Sequence, residues 1–303
     1  MRDSPGVTKP GDNFTAMFND ILGIIRDSEG RNFYETCGIL ESRISSDGDF
    51  IDTLRQIGII PEFIAHDSTG EKLFSKASDM VLSRAFRELG LKSSVLHERA
   101  DSADVIAELE IYGYTLVADA KAFRLSRTAK NQKDFKISAL SSWRKDNDYA
   151  VLCSPYFQYP AKARQIYAQA LTNNVCLLSW EHLIFLLENG ITESAKLNLS
   201  TIWDFSDKFS HKVLVSDMKK CFMRDFNKFL AVFLNIGGEV FDDSLKTQIL
   251  HIRKRSGLEK SYWLERIEHI RNYSREQAVN ELISTLKINE KLTQIDAYVR
   301  SIS

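Results

Sequence analysis

Cysteine is scarce in this chain: Cys37, Cys153, Cys176 and Cys221 are the only four in 303 residues. They stand far apart, with no C-x-x-C pair and no histidine at ligand spacing, which argues against a zinc site and against a disulfide framework. Long apolar runs are missing too. No stretch approaches the roughly 18 apolar residues of a membrane span, and Met1-Arg2-Asp3-Ser4-Pro5-Gly6 holds no hydrophobic segment of the secretory kind. The expected compartment is a reducing cytoplasm, with no membrane partner. Net charge is also close to absent, 40 Lys+Arg against 41 Asp+Glu, so the total gives no hint of a polyanionic partner. There is no internal repeat and no low-complexity tract. His66, His182, His211, His251 and His269 share no ligand spacing and are expected on the surface or as satisfied core residues.

What is present is an ordinary soluble composition, 44% hydrophobic and 27% charged, in a chain long enough for one large domain or two small ones. Residues 1–13, with Pro5, Gly6, Pro10 and Gly11, read as a flexible leader; 14–303 read as a single domain. Phe14, Met17, Phe18, Ile21, Leu22 and Ile25 recur at helical steps and predict an amphipathic helix. Gly58 and Pro61 precede a second helical pattern, from Leu73, Ala77, Met80, Val81 and Leu82 to Ala85, Phe86 and Leu89, with Gly90 as its stop. The period then changes. Residues 105–112 and 114–121 predict a β-hairpin with Gly113 at the turn, and 149–153 and 174–178 predict buried strands. Helical signal lies around 161–171 and 180–187 and dominates from Ser216 on, where Ser274 and Gln277 have capping-box spacing. The predicted fold is α/β: a central mixed sheet of about four or five strands flanked by helices, with a helical C-terminal region.

Asp119 and Lys121 are two apart in a predicted strand, so both side chains leave one face. A carboxylate beside an ammonium at a strand end can hold Mg²⁺ and place positive charge near a scissile phosphate. Phosphodiester hydrolysis needs that pairing, because water must be deprotonated while charge on phosphorus and on the leaving oxygen is stabilised. Asp104, opening the partner strand, is a natural second carboxylate, since Mg²⁺ commonly takes one or two with waters and phosphate oxygens. The acid-x-Lys tripeptide recurs at Asp134–Lys136 and Asp217–Lys219, so by itself it is unspecific. A basic tract follows directly. Over 121–136 the basic residues are Lys121, Arg124, Arg127, Lys130, Lys133 and Lys136 against the single acid Asp134. Such a local excess can neutralise phosphates even in a neutral protein.

These segments resemble a known family. Glu71-Lys72-Leu73-Phe74-Ser75-Lys76-Ala77, Ala103-Asp104-Val105-Ile106-Ala107, Leu116-Val117-Ala118-Asp119-Ala120-Lys121 and the tract from Phe123 to Lys136 are similar to the HindIII-like type II restriction endonucleases, of the PD-(D/E)xK nuclease superfamily. Further matches are Asp148-Tyr149-Ala150-Val151-Leu152, Phe157-Gln158-Tyr159-Pro160, Ser179-Trp180-Glu181-His182-Leu183 and Phe222-Met223-Arg224-Asp225-Phe226-Asn227-Lys228. The resemblance is strong over about 55–185, the implied catalytic core, patchy around 215–230 and 259–281, and weak in the first fifty residues. It implies a restriction-endonuclease-like fold with a helical part at about 215–303, and a homodimer that cleaves both strands of palindromic duplex DNA with Mg²⁺, for which Mn²⁺ can substitute. The implied site is AAGCTT, the implied ends are 5′-phosphate and 3′-hydroxyl, and a cognate DNA methyltransferase is the implied partner within a restriction-modification system. Asp104 matches the motif's first acid, Asp119 its second and Lys121 its lysine. The motif's proline is absent, since Ser102-Ala103 precedes Asp104.

By this resemblance Asp104 and Asp119 ligate the metal with the Ala120 carbonyl as a backbone ligand, and Lys121 orients or helps deprotonate the attacking water. Glu71 is a candidate for the helix acid that many such nucleases carry, although a first-turn acid is equally explained by the helix dipole. His97 and Glu98 are assigned to solvated loop. The basic residues of the tract recur every three positions, which on a helix drifts by about 60° each time and does not form one stripe. A loop and short helix against DNA fits the spacing better, with Arg124, Arg127 and Lys130 on phosphates and Lys136 also DNA-binding. Asn131 or Gln132 suits adenine, Lys133 or an arginine suits guanine, and Asp134 suits either cytosine N4 or an internal ion pair. Trp143, Trp180, Trp203 and Trp263, with Tyr156, Phe157 and Tyr159, are expected in the core or the dimer interface. The alternatives are a repair or junction-resolving nuclease on the same fold, and a non-cleaving DNA-binding protein, against which the intact Asp104, Asp119 and Lys121 argue.

Overall fold

Helix α1 (Ala16–Arg26) buries Met17, Phe18, Ile21, Leu22 and Ile25, the recurrence expected from the sequence. The computed structural model describes residues 14–96, 103–127, 132–160, 164–211 and 215–301. The leader at 1–13, His97, Glu98 and Ser102, and Lys130 and Asn131 of the basic tract lie outside them. Two helices follow that the sequence reading did not anticipate, α2 (Phe33–Ser45), with Asn32 accepting the Tyr34 N–H, and α3 (Phe50–Ile57). Helix α4 (Thr69–Glu88) starts where Ser68 accepts the Glu71 N–H. Its turn Ala77-Ser78-Asp79-Met80-Val81-Leu82 is wholly buried, an acid included.

Strands β1 (Lys92–Val95), β2 (Val105–Leu109) and β3 (Tyr114–Ala120) are antiparallel neighbours. The expected hairpin is present but closes earlier, at Leu109 opposite Tyr114. Ile111 and Tyr112 therefore sit exposed in the loop and Gly113 takes φ +62, where a side chain would be strained. Edge strand β1 was not expected, because Lys92, Ser93 and Ser94 have no strand pattern and only Val95 is buried. After α5 (Gln132–Phe135) and α6 (Ile137–Trp143) come β4 (Tyr149–Ser154), a 3-10 turn at Tyr156–Gln158, α7 (Arg164–Thr172), β5 (Val175–Ser179) and α8 (Trp180–Glu188). Strands β3, β4 and β5 pair in parallel, giving a five-stranded mixed sheet in the order β1-β2-β3-β4-β5. Helix α4 packs on β1, β2 and β3, and α6 on β3, β4 and β5. The chain continues through α9 (Ser200–Trp203), α10 (Phe205–Ser210), α11 (Val215–Phe233), α12 (Gly238–Arg271), α13 (Arg275–Thr285) and α14 (Ile288–Ser301).

Two compact units are present, one up to Arg253 and one from Lys254 on. The first contains the sheet and the apolar core. In the second, Ser274 and Gln277 form the expected capping box at the start of α13, and Arg266 pairs with Glu281.

Helix α8 starts on a capping box of unusual chemistry. The Ser179 hydroxyl accepts the His182 N–H at 3.1 Å, and His182 Nδ1 accepts the Ser179 N–H at 3.1 Å. His182 Nε2 then donates to Asn227 at 2.9 Å, and the Asn227 amide donates to Tyr156 at 2.8 Å. This arrangement requires a neutral imidazole, and burial pushes the His182 pKa down to about 4 despite the Asn227 bond. Its neighbour Glu181 is moved the other way, to about 7, by burial. The two have opposite proton linkage. The unfolded state holds the His182 proton below 6.5 while the fold rejects it until about 4, so His182 costs stability as pH falls through that window. The fold keeps Glu181 protonated up to about 7 while the unfolded chain releases it above 4.5, so Glu181 costs stability as pH rises. Between about 4.5 and 6.5 these slopes cancel. Glu181→Gln is expected to expose the histidine slope, about 1.4 kcal/mol gained per pH unit across that interval. Urea unfolding at several pH values reads it, and a pH dependence unchanged from wild type contradicts it.

Candidate active site

The hairpin register builds the centre of the site. Val105 pairs with Ala118, so the next pair outward sets Asp104 opposite Asp119. Leu96 donates to the Asp104 carbonyl at 2.8 Å, continuing the β1–β2 ladder past its last pair. Lys121 follows Asp119 on the same side, as the strand period requires, and the two side chains form an ion pair. The Lys121 backbone is held on both sides. Its N–H donates to the Cys153 carbonyl at 2.8 Å, and its carbonyl accepts the Trp180 indole N–H at 3.0 Å.

A third carboxylate descends from α4. Asp79, Asp104 and Asp119 each offer an oxygen, all within 4.8 Å of one another. Lys76, one helical turn before Asp79, lies 2.6 Å from Asp104 Oδ1 and 3.3 Å from Asp79 Oδ2. Asp79 and Asp119 are buried, and Asp79 Oδ1 accepts no hydrogen bond from the described residues. Burial, with the charge of Asp104, drives the Asp79 carboxyl well above its ordinary range, with Lys76 opposing. Burial raises Asp119 as well, against the pull of Lys121. Carboxylates crowded in a poorly solvated place resist ionisation until a cation compensates them. The all-oxygen donor set and the orphaned Asp79 Oδ1 suit a hard divalent cation.

Asp79 was missed in the sequence. Its signal is the lone acid within the apolar run of α4, since a carboxylate fully buried among hydrophobic residues needs a partner. Glu71, the candidate helix acid that a first-turn dipole role explains equally well, lies outside the group. It accepts from His66 at 2.9 Å, from the Asp67 N–H at 2.8 Å and from Arg124. Burial alone would raise its pKa, but those bonds outweigh it and hold the carboxyl low. Ala120, between Asp119 and Lys121, pairs with Cys153 of β4.

The basic tract is anchored where it leaves the strand. Phe123 bridges to Ile59 and buries its ring against Phe135, which stacks on Tyr159. The Arg124 guanidinium is held by Glu71 and by the Ile64 carbonyl at 2.6 Å. Buried Glu62 accepts both the N–H and the hydroxyl of Ser126, at 3.0 and 2.9 Å. Arg127 is exposed and pairs with Asp134, so the internal ion pair weighed for Asp134 is present. Gln132 and Lys133 lie on α5, their side chains outside the described set, and Lys136 is exposed at φ +48. Among the aromatics, Trp180 and Trp203 are core residues, while Trp263 and Phe157 are exposed. Cys37, Cys153 and Cys176 are buried free thiols, and no described helix is long and apolar enough to cross a membrane.

The family model described as HindIII restriction endonuclease matches residues 24–299. The chain is similar to the type II restriction enzyme HindIII of Haemophilus influenzae, with 44% identity over 284 residues that cover 93% of this chain and 95% of that protein.

Proposed function

The chain belongs to the HindIII restriction endonuclease family, and on that premise we propose that it is a Mg²⁺-dependent enzyme cutting both strands of AAGCTT to leave 5′-phosphate and 3′-hydroxyl ends, with Mn²⁺ as a substitute. The observation that carries the metal-dependent chemistry is the convergence of Asp79, Asp104 and Asp119 within 4.8 Å, beside Lys121. Asp104 and Asp119, with Asp79 and the Ala120 carbonyl, are the residues that would hold the ion. A bound divalent ion supplies positive charge for phosphate oxygens and lowers the pKa of water. Lys121, its backbone fixed by Cys153 and Trp180, orients the attacking water from the Asp119 side and offsets charge developing on phosphorus. The choice of AAGCTT rests on the likeness to HindIII. The palindrome implies a homodimer, one site per strand, and a methyltransferase protecting host DNA in the same cytoplasm.

Digestion of a plasmid holding one AAGCTT site, with Mg²⁺ or with EDTA, followed by sequencing of both ends, tests the reading. Linear product only with Mg²⁺ and with ends inside the site is expected. Metal-independent cutting overturns the assigned centre, and ends elsewhere overturn the recognition sequence.

The ion pairs of the tract support different roles for its two arginines. Arg127, exposed, is assigned to DNA phosphate, and Arg127→Ala should weaken specific and random duplexes together and lower the salt slope by about one unit. Asp134→Asn releases Arg127 and removes a negative charge near phosphate, so DNA binding in general should tighten. Arg124, committed to Glu71 and Ile64, should when changed to Ala lose thermal stability and leave the slope nearly unchanged. Binding isotherms at several salt concentrations decide this, and equal slope changes for Arg124→Ala and Arg127→Ala contradict it. Asn131 and Lys133 remain the proposed base readers, each worth about 1–3 kcal/mol on the cognate site alone.

A further inference from the structure

Three carboxylates and two ammoniums meet at the end of the β2–β3 hairpin, and the family motif accounts for only one of the ammoniums. Lys121 takes Asp119. Lys76 takes the other two carboxylates, reaching from α4 to Asp104 Oδ1 at 2.6 Å while staying 3.3 Å from Asp79 Oδ2 on its own helix. Its ammonium thus touches the two carboxylates that stand beside Asp119 in the group able to hold an ion. A protonated amine has no lone pair and cannot be a ligand. Oxygens bound to Lys76 are therefore withheld from an incoming ion, and a positive charge so close also repels it.

We propose that Lys76 is a resident counter-ion of the metal site, displaced toward solvent when a divalent cation enters, so that it sets how tightly the DNA-free protein binds the ion. The inference rests on the reading of Asp79, Asp104 and Asp119 as metal ligands. Two features make displacement feasible. The Lys76 side chain keeps 25% of its surface in solvent, and its long aliphatic stem lets the ammonium leave while the methylenes stay packed. The spacing explains why the device holds together without metal. Residues three apart on a helix share a face, so Lys76 covers Asp79 by local geometry and meets Asp104 only because α4 crosses β2. Binding then becomes a competition, in which the apparent affinity is the intrinsic one reduced by the fraction of molecules whose lysine has swung out.

The test is a Mn²⁺ titration of the full-length protein without DNA, with free Mn²⁺ read by electron paramagnetic resonance. Lys76→Met is expected to bind Mn²⁺ at least about tenfold more tightly than wild type, and Lys76→Arg, which keeps the charge, to bind no more tightly than wild type. Adding Asp79→Asn to Lys76→Met should return the affinity toward wild type, which locates the ion. Lys76→Met also leaves Asp79 and Asp104 uncompensated, so its ion-free form should melt lower and gain more in Tm from Mn²⁺ than wild type does. Lys76→Gln keeps a donor for Asp104 and serves if the Met variant does not fold. Equal Mn²⁺ affinity in wild type, Lys76→Met and Lys76→Gln overturns the counter-ion role while leaving the metal site standing. No Mn²⁺ binding in any of them, even at millimolar concentration, overturns the metal-site reading itself, and the inference with it.

Discussion

Asp119→Ala and Lys121→Ala should each abolish detectable digestion of an AAGCTT plasmid, a loss of at least about 10³-fold in rate, with the fold retained. The separation of activity from stability follows from where the charges sit. Asp119 is 2% exposed, and burial raises its pKa against the pull of Lys121. Its ionised form is therefore unfavourable, and the substitution removes that cost along with the carboxylate. Lys121 left alone keeps access to solvent, with 16% of its side chain exposed. Neither variant touches the β3–β4 ladder. Thermal unfolding, duplex binding without metal and a digestion time course form the check. Asp119→Ala should bind DNA at least as well as wild type, since one negative charge near phosphate is gone. Mg²⁺-dependent cutting at an undiminished rate by either variant would remove that residue from the chemistry.

The second large effect is expected at Trp180, a residue outside the carboxylate group. It is buried, its ring lies against Gly58, and its indole N–H holds the Lys121 carbonyl. Trp180→Ala empties a large buried volume and should cost about 3–5 kcal/mol of stability. Trp180→Phe is the more informative change. Most of the ring volume remains and stability should fall by about 0.5–1.5 kcal/mol for the lost hydrogen bond, whereas kcat should fall about tenfold or more because a displaced lysine loses its alignment with the attacking water. KM should move little. Gly58 is part of the same device, since a Cβ there would lie 2.7 Å from Trp180 Cδ1. Gly58→Ala should therefore shift the ring and repeat the Phe phenotype at reduced size. Urea unfolding together with steady-state kinetics distinguishes the cases. An unchanged kcat in Trp180→Phe would mean that the Cys153 bond alone positions Lys121.

Much of the site could be read without coordinates because its core is local. The alternation over 105–121 specifies a two-stranded hairpin, and a strand period of two puts Lys121 on the Asp119 side. The level of Asp104 was not legible in the same way, since a turn at Gly113 alone would set Asp104 opposite Ala122, and the observed closure at Leu109 and Tyr114, with Val105 opposite Ala118, is what brings it level with Asp119. The helical recurrence of α1 and α4, the buried strands β4 and β5 and the Ser274 capping box are legible for the same reason, since backbone geometry fixes their periods. Strand β1 was hidden because an edge strand of Lys92, Ser93 and Ser94 needs no apolar alternation. Asp79, Lys76, Trp180 and the Glu71–Arg124 pair belong to another class. Asp79 and Asp104 are joined only because α4 lies across the hairpin, Trp180 reaches Lys121 only because β5 ends beside β4, and Glu71 is drawn away from the carboxylate group by an arginine that follows β3. Those contacts are set by how the apolar faces of distant elements fit together, a property of the whole packed core that no local period encodes.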